Sequence, residues 1–165
     1  MDNDGIDITA DNVTLDLNGF TIYGGGGLIA DGISIGDRKN VEIKNGTIRG
    51  FTRSGIFSNA FTQFIRVIDV RAIGNVTSGI ELQGQGNTID RCTALNNTLG
   101  FRAFEGSLVI NSVARGNSSY GLAFSGASGC QGNVLTSSNG SNANAQVFGG
   151  IQLDTDICGT DTVCP

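Results

Sequence analysis

An all-β chain wound as a parallel β-solenoid of about six to seven coils is the fold this sequence predicts, on three observations. A Gly-apolar-X-apolar phrase returns at Gly5-Ile6-Asp7-Ile8, Gly32-Ile33-Ser34-Ile35, Gly55-Ile56-Phe57-Ser58, Gly79-Ile80-Glu81-Leu82, Gly100-Phe101-Arg102-Ala103, Gly121-Leu122-Ala123-Phe124 and Gly150-Ile151-Gln152-Leu153. Between these starts, apolar and polar residues alternate, as in VTLDLNGFTI and VEIKNGTI, the period of a strand with one buried face. Glycine supplies 26 of 165 residues, with one proline and no strict Gly-X-Y period, which suits short strands joined by tight turns and excludes collagen.

The starts are separated by 27, 23, 24, 21, 21 and 29 residues, so the turns are expected to absorb insertions while the strands stack. Residues 1–140 read as coils, and residues 141–165 as the last coil and a C-terminal cap. Two columns read as inward: Ile22, Ile48, Ala72, Ala94, Ala114 and Thr136, and five positions earlier Leu17, Ile43, Val67, Ile89, Val109 and Gln131. Three residues after the small-apolar column stand Asn75, Asn97, Asn117 and Asn139. Asparagine repeated at one turn can hydrogen-bond to the coils above and below, so these four are expected to form a structural ladder. Helices are excluded by count, because apolar positions recur at two and Gly or Asn interrupts every few residues.

The ends are read separately. Met1 is followed at once by repeat-like sequence, so the chain reads as a mature or truncated fragment without its own leader. At the N-terminus only the acidic Asp2, Asp4 and Asp7 guard the open edge, and end-to-end self-association into a filament is therefore expected. At the C-terminus Cys158 and Cys164 bracket a short loop and are expected to form a disulfide, which implies an oxidising compartment. Cys92, between the small column neighbours Val70 and Ser112, reads as an inert core thiol. The absence of histidine and of paired C-x-x-C spacing excludes a zinc ribbon.

A net charge of −5 with 10 basic residues gives no footprint for nucleic acid, and no apolar run is long enough for membrane insertion as a helix. The expected location is secreted or cell-surface, the periplasm included.

The phrases NVTLDLNGFTI and NVEIKNGTIRG, with the repeated GI-x-L and A-x-x-N elements, resemble consecutive coils of the right-handed parallel β-helix proteins of the pectin-lyase-like superfamily and its NosD-type members, over residues 5 to 140. The resemblance implies a right-handed helix. Because that superfamily holds lyases, hydrolases, epimerases, adhesins and uncharacterised secreted proteins, it implies no single activity.

Enzymes of this resemblance work along a groove on one sheet, so the outward positions of the opening strands are the place to search. They read Asp7, Ser34, Phe57, Glu81, Arg102, Ala123 and Gln152. Glu81 and Arg102, on adjacent coils, are the weak catalytic candidates, and a cross-strand ion pair is the favoured reading of them. A glycosidase needs two facing carboxyl groups, and no second acid is read on the face of Glu81. Asp2, Asp4 and Asp7, and Asp154, Asp156 and Asp161, are weak metal-ligand candidates that complete no calcium loop; no cofactor is expected. Six N-x-S/T sequons begin at Asn12, Asn45, Asn75, Asn96, Asn117 and Asn139 and are candidate glycosylation sites, in residue types that β-helix turns use anyway. The favoured function is a non-enzymatic structural or binding scaffold, with carbohydrate and a second copy of itself as candidate partners. A polysaccharide-active lyase, hydrolase or epimerase is the alternative.

Overall fold

Each coil carries three short strands, because a Gly or Asn able to take a left-handed backbone interrupts every apolar alternation after a few residues. The computed structural model describes residues 4–25, 27–136, 146–153 and 156–158. Strands are numbered β1 to β19 in chain order. The opening column is one parallel sheet of Ile6–Ile8 (β1), Ile33–Ile35 (β4), Ile56–Ser58 (β6), Ser78–Leu82 (β8), Leu99–Phe104 (β11), Tyr120–Ser125 (β14) and Val147–Phe148 (β17). The second column holds Thr14–Asp16 (β2), Thr88–Asp90 (β9), Leu108–Ile110 (β12), Gly129–Gln131 (β15) and Ile151–Gln152 (β18). The third holds Thr21–Tyr23 (β3), Thr93–Leu95 (β10), Val113–Arg115 (β13), Val134–Thr136 (β16) and Ile157–Cys158 (β19). Glu42–Arg49 (β5) and Arg66–Ile73 (β7) run through both columns and join them into one 12-stranded sheet. The result is a parallel β-solenoid of about six turns, with no helix among the described residues.

Stacking in register carries like residue onto like. Ile33, Ile56, Ile80, Phe101, Leu122 and Val147 form one inward row; Ile43, Val67, Ile89, Val109 and Cys130 form another; Ile48, Ala72, Ala94, Ala114 and Leu135 form the third. All are buried, and together they make one continuous core column. The opening glycines are required by close approach: a Cβ on Gly79 would lie 2.7 Å from the Gly100 carbonyl oxygen and 3.0 Å from the Ala94 Cβ.

The turns show a regularity beyond the repeat phrase. Asn18, Asn45, Asp69, Arg91 and Asn111 all have φ between 46° and 58°, and bend the chain between the second and third columns. Asn12, Asn40 and Phe64 (φ 59°, 54° and 59°) do the same between the first and second.

The expected ladder is present at Asn75, Asn97 and Asn117; Asn139 lies outside the described residues. The Asn97 side-chain amide donates to the Ala72 carbonyl (3.1 Å) and to the Asn117 side-chain oxygen (3.1 Å), while its own oxygen accepts from the Asn75 backbone N–H (2.9 Å). Asn75 and Asn117 repeat the pattern, donating to Ile48 and Ala94 carbonyls. A second buried row was not read from the sequence: Cys92 N–H donates to Ser112 Oγ, Ser112 N–H to Asn133 Oδ1, and Asn133 N–H to Asp156 Oδ1.

Three expectations are corrected. The seventh opening strand is Val147–Phe148, which pairs with β14, whereas Ile151–Gln152 pairs with Gly129–Cys130 in the second column. Phe148, not Gln152, therefore ends the outward row of the opening sheet. In the sixth coil Leu135 and Cys130 face inward in place of Thr136 and Gln131, because the apolar partner of each adjacent pair takes the core. In the first coil Leu15 pairs with Ile43, and Leu17 is buried beside it in a wider turn.

Candidate functional site

The outer face of the opening sheet is set by two rows. The outward row holds the residues two places after the opening glycines, Asp7, Ser34, Phe57, Glu81, Arg102 and Ala123, and ends at Phe148, which follows Gln146 in place of a glycine. Residues just before the glycines follow in register, and among them stand Asp31, Ser54 and Ser78. The structure brings Glu81 and Arg102 together as expected from their adjacent coils, with Arg102 Nη1 3.1 Å from Glu81 Oε1. Glu81 is nevertheless only 4% exposed. Gln83 donates to the same oxygen (2.7 Å) and the Ser78 hydroxyl to the other (2.9 Å). Arg102 also lies over the Phe104 ring at 5.0 Å.

A second acid does share this face, contrary to the sequence reading. Asp31 is 1% exposed, accepts the Ser54 backbone N–H at 2.7 Å, and pairs with Arg53 at 3.3 Å. Burial raises its carboxyl pKa above the usual value; the Ser54 N–H and the Arg53 guanidinium oppose the rise, and the charges of Asp4 and Glu81 add to it. A signal was available, since Asp-Gly precedes the opening phrase in both the first and second coils, at Asp4-Gly5 and Asp31-Gly32. Each carboxylate, however, has both oxygens engaged by its own sheet, so neither is presented to a ligand.

A different arrangement stands out at the turn that follows β6. Phe61 and Phe64 are 74% and 60% exposed, on a loop that is itself fixed. Thr62 is fully buried and its hydroxyl meets Ser58 Oγ (3.0 Å) and the Asn59 carbonyl (2.8 Å). Asn59 binds Asp37 of the preceding coil. Phe64 holds a left-handed backbone (φ 59°), which costs a bulky residue about 1 kcal/mol. Its ring lies against Gly86, where an added Cβ would meet the ring at 3.2 Å. Lys39, Gln63 and Gln85 stack as successive rungs beside it. Two exposed rings on this held loop, with Gln63 between them in sequence and Gln85 bridged to it through the backbone, form a ledge that repeat analysis missed, because these phenylalanines occur in one coil only.

With this geometry in view, comparison with known proteins is informative. The model of the right handed beta helix region matches residues 1–139. The chain belongs to that right-handed β-helix family. No curated protein matches it.

The remaining residues singled out in this β-helix are dispersed. Asp4 accepts the Asp31 N–H (2.6 Å) and Asp156 accepts from Asn133, while Asp7 points outward; Asp2, Asp154 and Asp161 lie outside the described residues. Among the described residues no three acids or cysteines converge as metal ligands. Of the sequons, Asn12, Asn45 and Asn96 are exposed. Asn75 and Asn117 are at most 1% exposed, and their amides are consumed by the ladder, leaving no room for a glycan in the folded β-helix. Cys92 is buried with its thiol pKa pushed up to about 12, first by desolvation, and behaves as an inert core group. Cys158 is buried; its expected partner Cys164 lies outside the described residues.

Proposed function

We propose that this chain is a non-enzymatic β-helical binding scaffold that acts outside the cell and contacts carbohydrate through the Phe61–Phe64 ledge. The observation that carries the reading is the pair of exposed rings on a loop pinned by buried Thr62, with Gln63 and Gln85 alongside. A sugar presents a C–H face and a rim of hydroxyls. An aromatic ring covers the first, and side-chain amides, each both donor and acceptor, satisfy the second.

Catalysis is the weaker alternative on physical grounds. A general acid or base must have an oxygen free to reach the substrate. Glu81 and Asp31 spend theirs on Ser78, Gln83, Arg102, Ser54 and Arg53.

Binding of an oligosaccharide panel by calorimetry tests the reading. Phe61→Ala and Phe64→Ala are each expected to weaken binding about tenfold, a loss of ~1.4 kcal/mol, without lowering the melting temperature. Unchanged binding in the double variant overturns it.

A further inference from the structure

We propose that the groove where β5 and β7 bend is an oxyanion-binding site, in which Arg71 reads a carboxylate or sulfate ester on the ligand. The groove has a volume of about 340 Å³ and is lined by Gly19, Asn45, Gly46, Asp69, Arg71, Arg91 and Thr93. It lies on the outer face of the 12-stranded sheet, away from the opening sheet. The proposal does not rest on the Phe61–Phe64 ledge.

The chain carries −5 overall, yet Lys44, Arg49, Arg66, Arg71, Arg91 and Arg115 all occupy outward or turn positions of this one sheet. The acids sharing it are Asp16, Glu42, Asp69 and Asp90, and each is committed. Asp69 takes two bonds from Arg91 (2.9 and 3.0 Å), which also holds Asp90 at 2.6 Å. That pairing keeps the Asp69 carboxyl below its ordinary pKa. Glu42 lies between Lys44 (3.2 Å) and Arg66 (3.1 Å). Asp16 accepts from the Asn18 N–H and the Asn45 amide.

Arg71 is left over. Its cross-strand neighbours are Thr47 and Thr93, so the coils on either side offer it hydroxyls and no carboxylate. Among the described residues it makes no ion pair. Arg49, its diagonal neighbour across the β5–β7 register, is likewise without a carboxylate, and its guanidinium lies over the Tyr23 ring at 5.1 Å. A planar fork of donors, with the Thr93 side chain beside it in the groove and a second cation on the diagonal, suits a carboxylate or sulfate oxygen pair. Gly19, where an added Cβ would meet nothing within 4 Å, leaves the groove open on that side.

The test titrates the full chain at low salt with a sulfated dextran oligosaccharide, an oligogalacturonate and neutral dextran. Arg71→Gln is compared with Arg71→Lys and with Arg115→Gln, an unpaired arginine of the same sheet outside the groove. One or both anionic probes are expected to bind. Arg71→Gln should weaken that binding about tenfold, Arg71→Lys by an intermediate factor, and Arg115→Gln less than about twofold. Binding of the sulfated probe alone assigns a tetrahedral anion, and of the oligogalacturonate alone a planar carboxylate. Three results overturn the proposal: neither anionic probe binds, Arg71→Gln and Arg115→Gln lose equally, or the loss follows Phe61→Ala in place of Arg71→Gln. Because Arg71 is exposed, the variants are expected to keep the melting temperature of the parent, which is measured alongside.

Discussion

Asp31 shows how one residue's environment decides its role. Removed from water, its carboxylate is held by Ser54 and Arg53 but penalised by burial and by the charges of Asp4 and Glu81, and its pKa is raised. An acid with a raised folded-state pKa binds its proton more tightly in the folded protein. Its contribution to stability is therefore complete below the ordinary value of 3.8 and is lost as pH rises through the raised one. Compared with Asp31→Asn in urea melts on either side of the carboxylate range, the parent should gain stability relative to the variant as pH falls. An offset constant with pH would contradict this. Asp69 is shifted the opposite way by Arg91, but its ion pair is exposed and adds little to stability.

At the scale of the element, the turns define the coil as much as the strands do. Asn97 satisfies the Ala72 carbonyl, the Asn75 N–H and Asn117 together, all in the interior. Asn97→Ala should cost about 3 kcal/mol, since several buried polar groups lose their partners at once. Its sequence neighbour Asn96 is exposed and contributes a left-handed backbone (φ 56°). Asn96→Ala should cost only about 1 kcal/mol, and Asn96→Gly close to nothing. Chemical denaturation of the three variants checks the contrast, and equal losses at 96 and 97 would contradict it. The same logic explains what was legible in advance. A ladder residue recurs in successive coils from the third onward, so Asn75, Asn97 and Asn117 announce themselves by spacing. The left-handed row Asn18, Asn45, Asp69, Arg91 and Asn111 changes side chain while keeping backbone shape, so spacing alone does not announce it.

Across the whole molecule, stacking in register makes the fold readable and the function hard to read. Periodicity located the core because each inward row repeats apolar side chains; it slipped by one residue at Leu135 and Cys130, where a neighbouring polar residue competed for the column, and by more in the first and last coils, where Leu15 and Val147 take the rows expected of Leu17 and Ile151. Function resides in what is not repeated. Phe61 and Phe64 occupy one turn and Arg71 stands among threonines, so none of these leaves a periodic trace, and Asp31 shares its place before the glycine only with Asp4. Glu81 and Arg102 were found because they share a row, and the structure joins them into an ion pair with no oxygen of Glu81 to spare.

The central claim is that this β-helix binds a glycan at the ledge without turning it over. NMR titration of the full chain with the best-binding oligosaccharide, followed by mass spectrometry of the same sample, tests it most directly. The account predicts shift changes concentrated at residues 59–64 and 83–86 and an unaltered oligosaccharide. Cleaved or epimerised product that disappears in Glu81→Gln, with shifts centred on Asp31, Glu81 and Arg102, would contradict it.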